Sequence, residues 1–367
     1  MSEALRAPGP ANHGRDRSAG EKSGEAPCYA ALDLGTNNCR LLVATPTPGG
    51  GFRVIEAYSR IVRLGEGLSA SGRLSDAAME RALAALKVSG EKVRRRRVVK
   101  FRAIATQACR IAANGQAFIN RVANETGVKL QIISPQEEAR LSVTGCLNLL
   151  DHRHEAALVV DVGGGSTELS WVELKSTPPG HMPPVKAWLS VPIGVVTLAE
   201  RFPEGDVATE GWFRQMVDHV RAEIAAFKRA DPLRPVFEGD RAHLVGTSGA
   251  ITSLAGMHLR LPRYDRNRVD GIWMTRAQCD AAADSLLALN ARERAAQPCI
   301  GPDRADLVLA GAAILAAVQE EWPCSRVRVA DRGLREGILL SLMADRAGGR
   351  RRRKRRRGRG GQRTGGE

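Results

Sequence analysis

Short apolar runs and helix-spaced apolar residues follow one another along the chain, which predicts an α/β protein. The first ordered stretch is predicted to be a hairpin, because the apolar runs Tyr29–Leu34 and Arg40–Thr45 flank a polar turn at Gly35–Asn38. Further strands are predicted at Phe52–Ser59, Val98–Thr106, Lys129–Ile133, Ala156–Val162, Glu168–Leu174, His243–Val245 and Val327–Ala330. Helices are predicted at Leu74–Val93, Gly115–Thr126, Gln136–Leu150, Gly211–Arg229 and Thr275–Leu289, and again after Gly249 and after Gly333.

One local pattern occurs twice. The segments DLGTNNCRLLVA and DVGGGSTELSWV each run from a strand that ends in Asp, through a glycine turn, into a returning strand. Their aspartates, Asp33 and Asp161, are 128 residues apart. This spacing is too long for a short solenoid repeat and suits two domains that share one topology, with a cleft between them.

The composition excludes several protein classes. The chain is 43% apolar but has no uninterrupted apolar run of the roughly 18 residues that span a bilayer, so we expect no membrane partner. Its seven cysteines include no CxxC pair, which argues against a disulfide framework or a zinc site. Residues 1–27 are polar, rich in Gly and Pro and unlike a secretory signal, so we expect them to be disordered and the protein to be cytoplasmic.

Positive charge is concentrated at the carboxyl end. The net charge of the chain is +15, and residues 350–367 hold ten Lys or Arg against one acid. We expect this Arg-rich tail to be disordered and to bind RNA or another polyanion without sequence specificity, or to act only as a solubilising segment. A nucleic-acid-binding function would depend on this tail alone, since no folded recognition module accompanies it.

Two glycine-containing turns are candidate anion sites. In Asp161–Glu168 a glycine turn lies between two carboxylates, a combination that suits a divalent metal held against a bound phosphate. The alternative interpretation is a plain tight hairpin. The segment Gly246–Ala250 runs from an apolar strand into a helix, where free N–H groups would favour an anion, although simple helix capping by Thr247 or Ser248 would explain it equally well.

Six ordered motifs resemble the Ppx/GppA phosphatase family, which contains exopolyphosphatases and guanosine pentaphosphate phosphohydrolases. The most specific is DVGGGSTEL at Asp161–Leu169. The others are ATQACR at Ala105–Arg110 with Asn114, PQEEAR at Pro135–Arg140, GTSG at Gly246–Gly249, RAD at Arg304–Asp306 and DRGLREG at Asp331–Gly337. The resemblance covers about Tyr29 to Met343 and implies the two-domain actin-like/Hsp70/sugar-kinase ATPase fold. It divides the chain into domain I at 28–135, completed by the last helix at 333–347, and domain II at 136–332.

The resemblance also implies roles for individual residues. Glu138 would be the general base that takes a proton from the attacking water, and Arg110 would grip phosphate; by themselves both would be interpreted as surface charges. Mg2+ would be held by Asp161, Glu168 and Asp33. The implied phosphate-binding residues are Asp33, Gly35, Thr36 and Asn37 in the first loop, Gly163, Gly164, Gly165, Ser166 and Thr167 in the second, and Gly246, Thr247, Ser248 and Gly249.

The chain departs from the family pattern in its first loop. That loop usually reads DxGSNSxR in the family, whereas here Thr36 replaces one serine and Asn38 another, so one hydroxyl donor is missing. Longer members carry a further helical region with an HD-type metal motif, which we do not expect here because the predicted ordered part ends near Asp345. The resemblance implies a short, two-domain member that forms a homodimer.

The leading functional hypothesis is an exopolyphosphatase that releases terminal orthophosphate from inorganic polyphosphate with Mg2+. An alternative within the class is hydrolysis of the 5′ γ-phosphate of guanosine pentaphosphate (pppGpp), because the shared loops contact only phosphates. A kinase or chaperone-like ATPase of the same fold is a further alternative. Glu138 argues against that alternative, since it supplies a hydrolytic base where no acceptor pocket is evident.

Overall fold

The computed structural model describes residues 26–48 and 51–344. Its strands are β1 Tyr29–Leu34, β2 Asn38–Pro46, β3 Phe52–Ile61, β4 Lys100–Ala105, β5 Leu130–Ile132, β6 Ala156–Val162, β7 Thr167–Glu173, β8 Val185–Val191, β9 Ala242–Thr247, β10 Trp273–Thr275 and β11 Arg326–Ala330. The α-helices are α1 Leu68–Ser71, α2 Asp76–Arg95, α3 Gln107–Ile111, α4 Gly115–Thr126, α5 Pro135–Cys146, α6 Val195–Arg201, α7 Glu210–Ala225, α8 Arg234–Glu238, α9 Gly249–His258, α10 Arg266–Val269, α11 Arg276–Leu287, α12 Ala291–Ala296, α13 Val308–Glu321 and α14 over residues 334–344.

The strands form two sheets with the same order. The first sheet runs β3-β2-β1-β4-β5, and the second runs β10-β11-β9-β6-β7-β8. In each, a central strand pairs antiparallel with the strand that follows it and parallel with a later strand, as β1 does with β2 and β4 and as β6 does with β7 and β9. Apart from the added edge strand β10, the second sheet therefore repeats the first, which confirms the predicted duplication.

Most predicted elements are present, with shifted ends. The predicted helix Gln136–Leu150 ends at Cys146 and continues as a 3₁₀ turn at Leu147–Leu149, and the predicted helix Gly211–Arg229 ends at Ala225. Strand β8 was not predicted. Its residues are mainly exposed or half-buried, because it is the edge strand of its sheet, so it lacks a continuous apolar run.

Some sequence predictions concern residues that the structure does not describe. These are residues 1–25 of the predicted disordered start, residues 345–347 of the predicted last helix and the whole Arg-rich tail at 350–367. In residues 26–48 and 51–344 no helix combines the length and the apolar character that crossing a bilayer requires. The cytoplasmic location and the homodimer stay predictions.

Helix α5 lies between the two sheets. Its start is fixed by Ser134, whose hydroxyl accepts the Glu137 N–H, and by Pro135 in its first turn. Leu141 packs in a cluster with residues of the first sheet and α14, whereas Val143 belongs to a cluster with residues of the second sheet. Helix α5 thus packs against both sheets. The domain boundary predicted between residues 135 and 136 stays a prediction.

Helices α5 and α14 approach each other at glycines. A Cβ atom at Gly145 would lie 1.9 Å from the Gly333 carbonyl oxygen, and one at Gly337 would lie 1.9 Å from the Leu141 carbonyl oxygen. Real Cβ atoms essentially never come within 3.0 Å of such a neighbour. Glycine is therefore required on both helices for their backbones to pack this closely.

We expect Gly337→Ala to destabilise the protein by about 1–3 kcal/mol, because the added methyl group forces the two helices apart. Thermal and urea unfolding of the full-length chain would measure the change. Gly211→Ala on α7 is the matched control. Nothing lies within 4 Å of its Cβ position, so that variant should be neutral or slightly stabilising. Equal stability of both variants and wild type would contradict the close packing.

Candidate active site

The two repeated segments form the same turn. The Gly35 N–H donates to the Asn38 carbonyl and the Gly163 N–H donates to the Ser166 carbonyl, both at 2.9 Å. The strand registers also correspond. Asp33 lies opposite Arg40 in the first hairpin, and Asp161 lies opposite Glu168 in the second. The first hairpin thus pairs an acidic side chain with a positively charged one, and the second pairs two acidic side chains.

The two glycine loops are in direct contact. A Cβ atom at Gly165 would lie 2.7 Å from the Thr36 Oγ1 atom, and one at Gly164 would lie 3.0 Å from the Thr36 Cβ atom. In the described part of the chain, the backbone N–H groups of Gly164, Gly165 and Ser166 donate to no protein acceptor. These free donors form the kind of concave backbone site that binds anions.

A cleft of about 320 Å³ lies where the loops meet. It brings together most of the residues that the sequence predicted: Asp33, Gly35, Thr36, Asn37, Glu138, Asp161, Gly163, Gly164, Gly165, Ser166, Glu168, Thr247, Ser248 and Gly249. Three predicted residues, Arg110, Thr167 and Gly246, do not line it. Thr167 is buried, and its hydroxyl donates to the Ile193 carbonyl at 2.7 Å. Gly246 lies within β9 and packs against Ile251.

Six carboxyl groups line this cleft, and four of them, those of the predicted acids Asp33, Glu138, Asp161 and Glu168, have raised pKa values. Burial raises the pKa of Asp33 to about 6, opposed by Arg40 and Arg335. Burial, reinforced by the charge of Asp161, raises the pKa of Glu168 to about 7. Burial is likewise the main reason that the pKa of Asp161 is raised, while its hydrogen bond from Ser142 opposes the shift.

Glu138 also has a perturbed carboxyl group. Burial raises its pKa well above its usual value, and the nearby charge of Glu168 adds to this effect. Arg110 opposes both, since its Nη1 atom donates to Glu138 Oε2 at 3.0 Å. Two carboxylates with raised pKa values beside each other form an arrangement typical of proton transfer in enzymes.

Arg110 is fully engaged within the protein. Besides Glu138, its guanidinium donates to the Gln107 side chain at 2.6 Å and to the Ile133 carbonyl at 2.7 Å. In this arrangement Arg110 orients Glu138. Its assignment as a phosphate ligand stays a prediction.

Four other arginines line the cleft, and sequence reasoning gave them no role. Arg332 pairs with Asp270. Arg40, Arg304 and Arg335 have no ion pair or side-chain hydrogen bond among the described residues. Arg40 and Arg304 each come within 4 Å of the Cβ position of Gly249, at the amino-terminal end of α9. Burial, and then Arg335, lowers the pKa of Arg40. Each of these arginines lies inside a motif quoted above, so the sequence did contain a sign of their importance. Arginine is nevertheless too common a residue for its position in a motif to assign it a role.

Polar contacts bridge the two domains at one rim of the cleft. Arg63 forms a 3.0 Å ion pair with Asp306, and the Glu200 carboxylate accepts hydrogen bonds from the Gly67 N–H at 3.0 Å and the Ser69 hydroxyl at 3.1 Å. The Arg63 N–H also donates to the Asn37 carbonyl in the first glycine loop at 3.0 Å. The rim contacts therefore extend to a loop that lines the cleft.

The residues present fit a magnesium ion. The buried Oδ1 atom of Asp33 has no hydrogen-bond partner in the described part of the chain, so this oxygen has a free coordination position. Within residues 26–48 and 51–344, no three Asp, Glu, His or Cys side chains are grouped as a complete metal site. Mg2+ does not require such a group, because it usually retains several waters and binds proteins through one or two carboxylates.

Comparisons with known proteins identify the family of this chain. The profile of the Ppx/GppA phosphatase family matches residues 42–346. Exopolyphosphatase 2 of Mycobacterium tuberculosis (strain ATCC 25618 / H37Rv) is 30% identical over 325 residues, which cover 85% of this chain and 98% of that protein. The crystal structure of the Aquifex aeolicus Ppx/GppA family member has a TM-score of 0.70 at 28% identity, covering 87% of this chain and 98% of that one.

The fold has a further crystallographic counterpart. An exopolyphosphatase from Cytophaga hutchinsonii has a TM-score of 0.75 at 24% identity over 87% of this chain and 98% of its own, a likeness that concerns the fold alone. The fold is the two-domain actin-like ATPase fold. With the family profile and the mycobacterial relative both covering most of the chain, the protein belongs to the Ppx/GppA phosphatase family and is an enzyme that hydrolyses phosphoric anhydrides.

Proposed function

We propose that the protein is an exopolyphosphatase that removes terminal orthophosphate from inorganic polyphosphate by water attack. The observation that carries this proposal is the pairing, in one cleft, of acids with raised pKa values and three unpaired arginines. The acids supply hydrolytic chemistry. The arginines supply positive charge for a substrate whose successive phosphates all carry negative charge.

Glu138 acts as the general base in this proposal. Burial raises the pKa of Glu138, so its ionised carboxylate is a stronger base than that of an exposed glutamate. Arg110 holds the carboxylate in place through its 3.0 Å hydrogen bond. The free N–H groups of Gly164, Gly165 and Ser166 bind the oxygens of the phosphate that is attacked.

We further propose that Mg2+ binds through one or two of the carboxylates of Asp33, Asp161 and Glu168, with waters completing its coordination. A bound magnesium ion would neutralise phosphate charge and so make the phosphorus easier to attack. Ser142 and Ser190 hold two of these carboxylates, Asp161 and Glu168, by hydrogen bonds. A bound cation would also offset the mutual repulsion of acids in this cleft.

A comparison of substrates tests the proposed reaction. With Mg2+ present, we expect phosphate release from long-chain polyphosphate to have a higher kcat/KM than release from pppGpp or ATP, because several phosphates engage the three arginines at once. The named activity of the mycobacterial relative points the same way. Faster release from pppGpp would replace the proposal with the 5′-phosphohydrolase, and release only with a phosphate acceptor would replace it with a kinase.

We expect Glu138→Gln to lower kcat by about 10²–10⁴-fold, because an amide cannot accept the proton from water. Substrate binding, measured by calorimetry, should change little. Glu137→Gln is the matched control, since Glu137 lies on the same helical turn but pairs with Arg102 at 2.6 Å outside the cleft. The assignment fails if both variants keep wild-type kcat, or if both lose activity equally.

We expect Asp161→Asn and Glu168→Gln to bind Mg2+ more weakly, because each removes a charge that this hard cation prefers. Isothermal titration with MgCl2 would report the affinity directly, and the metal concentration for half-maximal activity should rise with it. Glu173→Gln, at the other end of β7, is the control. Titrations of all three variants that overlay the wild type would place the metal elsewhere.

A further inference from the structure

A second cavity, of about 310 Å³, lies beside β8 on the side of the sheet that α5 covers. It is separate from the cleft and shares no lining residue with it. The residues that matter here come from four elements or their ends: Gln136 and Arg140 of α5, Ser170 of β7, Lys186 and Trp188 of β8, and Arg229, which follows α7. Its volume is at the lower end of the range found for small-molecule sites.

The charged groups of this cavity are all positive. Arg140 and Arg229 are exposed and form no side-chain hydrogen bond or ion pair among the described residues. Lys186 pairs with Glu173 at 2.8 Å, but no Asp or Glu lines the cavity itself. Unpaired arginines around a concave surface favour an anion with several oxygens, such as a phosphate chain.

An aromatic ring completes the cavity. Trp188 is half-buried, whereas Trp171 on the neighbouring strand is fully buried in the core of the second domain. Strand alternation explains the difference, because Ala187 and Val191 point to that core and Trp188 points to the opposite face. An accessible indole beside cations suits a planar base that bears phosphates.

The cavity adjoins the proposed catalytic acids. The strand pair Ser170–Trp188 follows the pair Glu168–Ser190 along the same face of the sheet, about 7 Å further on. On the covering helix, Arg140 follows Glu138 by two residues. A molecule in the second cavity would therefore lie behind the acids that line the cleft.

We propose that this cavity binds a nucleoside diphosphate or triphosphate, with its base against Trp188 and its phosphates on Arg140, Arg229 and Lys186. This site is additional to the cleft, and it does not depend on which phosphate polymer the cleft hydrolyses. It also accounts for Arg140, the one cation of the PQEEAR motif, whose side chain has no partner among residues 26–48 and 51–344.

Calorimetric titration of the full-length protein with α,β-methylene-ADP, which resists cleavage between its phosphates, tests the proposal. We expect the double variant R140A/R229A to bind at least tenfold more weakly than wild type. Lys228→Ala is the matched control, because Lys228 adjoins Arg229 in sequence but does not line the cavity. Arg304→Ala, in the cleft, should likewise change the affinity less than twofold. A melting curve for each variant checks that it is folded.

A second experiment distinguishes nucleotide binding from the binding of a simple anion. Trp188→Leu should lower the affinity for α,β-methylene-ADP at least fivefold. It should leave the affinity for methylenediphosphonate, which has no base, unchanged. The proposal is overturned if the wild-type protein does not bind the nucleotide, or if Arg304→Ala weakens nucleotide binding and R140A/R229A does not. It is also overturned if Trp188→Leu leaves the affinities for both ligands unchanged or lowers both equally. None of these results depends on hydrolysis in the cleft, so the two proposals can fail separately.

Discussion

The cleft is organised by the crowding of carboxyl groups away from bulk water. Carboxylates repel one another and lose hydration when they are buried, so each tends to keep its proton unless a neighbour stabilises the charge. The surrounding residues provide that stabilisation. Arg110 binds Glu138, the hydroxyls of Ser142 and Ser190 bind the two acids of the second hairpin, and Arg40 lies near Asp33. This balance leaves the acids poised for exchange of protons or binding of a cation.

Duplication of one hairpin gives two different half-sites. The turns at Gly35 and Gly163 share the same hydrogen bond and the same strand register. The position opposite the aspartate holds Arg40 in one copy and Glu168 in the other, so one residue change converts a cation into an acid at equivalent places. The fold therefore supplies the same hairpin geometry twice, and the side chains alone make one copy carry opposite charges and the other carry two acids.

Much of this arrangement could be predicted from the sequence, because glycine turns after short strands are local signals. The second hairpin, with Asp161 and Glu168, was predicted from its residues and lines the cleft. Local signals do not give orientation, and Thr167 of the same loop points into the core. They also do not give tertiary distance, so the convergence of Arg40, Arg304 and Arg335 from three separate segments became visible only in the folded chain. Strand β8 was missed because an edge strand carries a weak apolar pattern.

The rim contact at Arg63 has a consequence for how a polymer is handled. This residue joins Asp306 across the cleft and also donates its N–H to Asn37 in the first loop, so separating the domains would pull directly on that loop. Entry of substrate and the shape of the loop are then mechanically linked. Arg63 and Asp306 are both partly exposed, so their ion pair is weak enough to break and re-form without unfolding either sheet. If the rim closes behind a bound polymer, a rim lifetime longer than one hydrolytic cycle would favour repeated cleavage of that polymer over single cleavages of many.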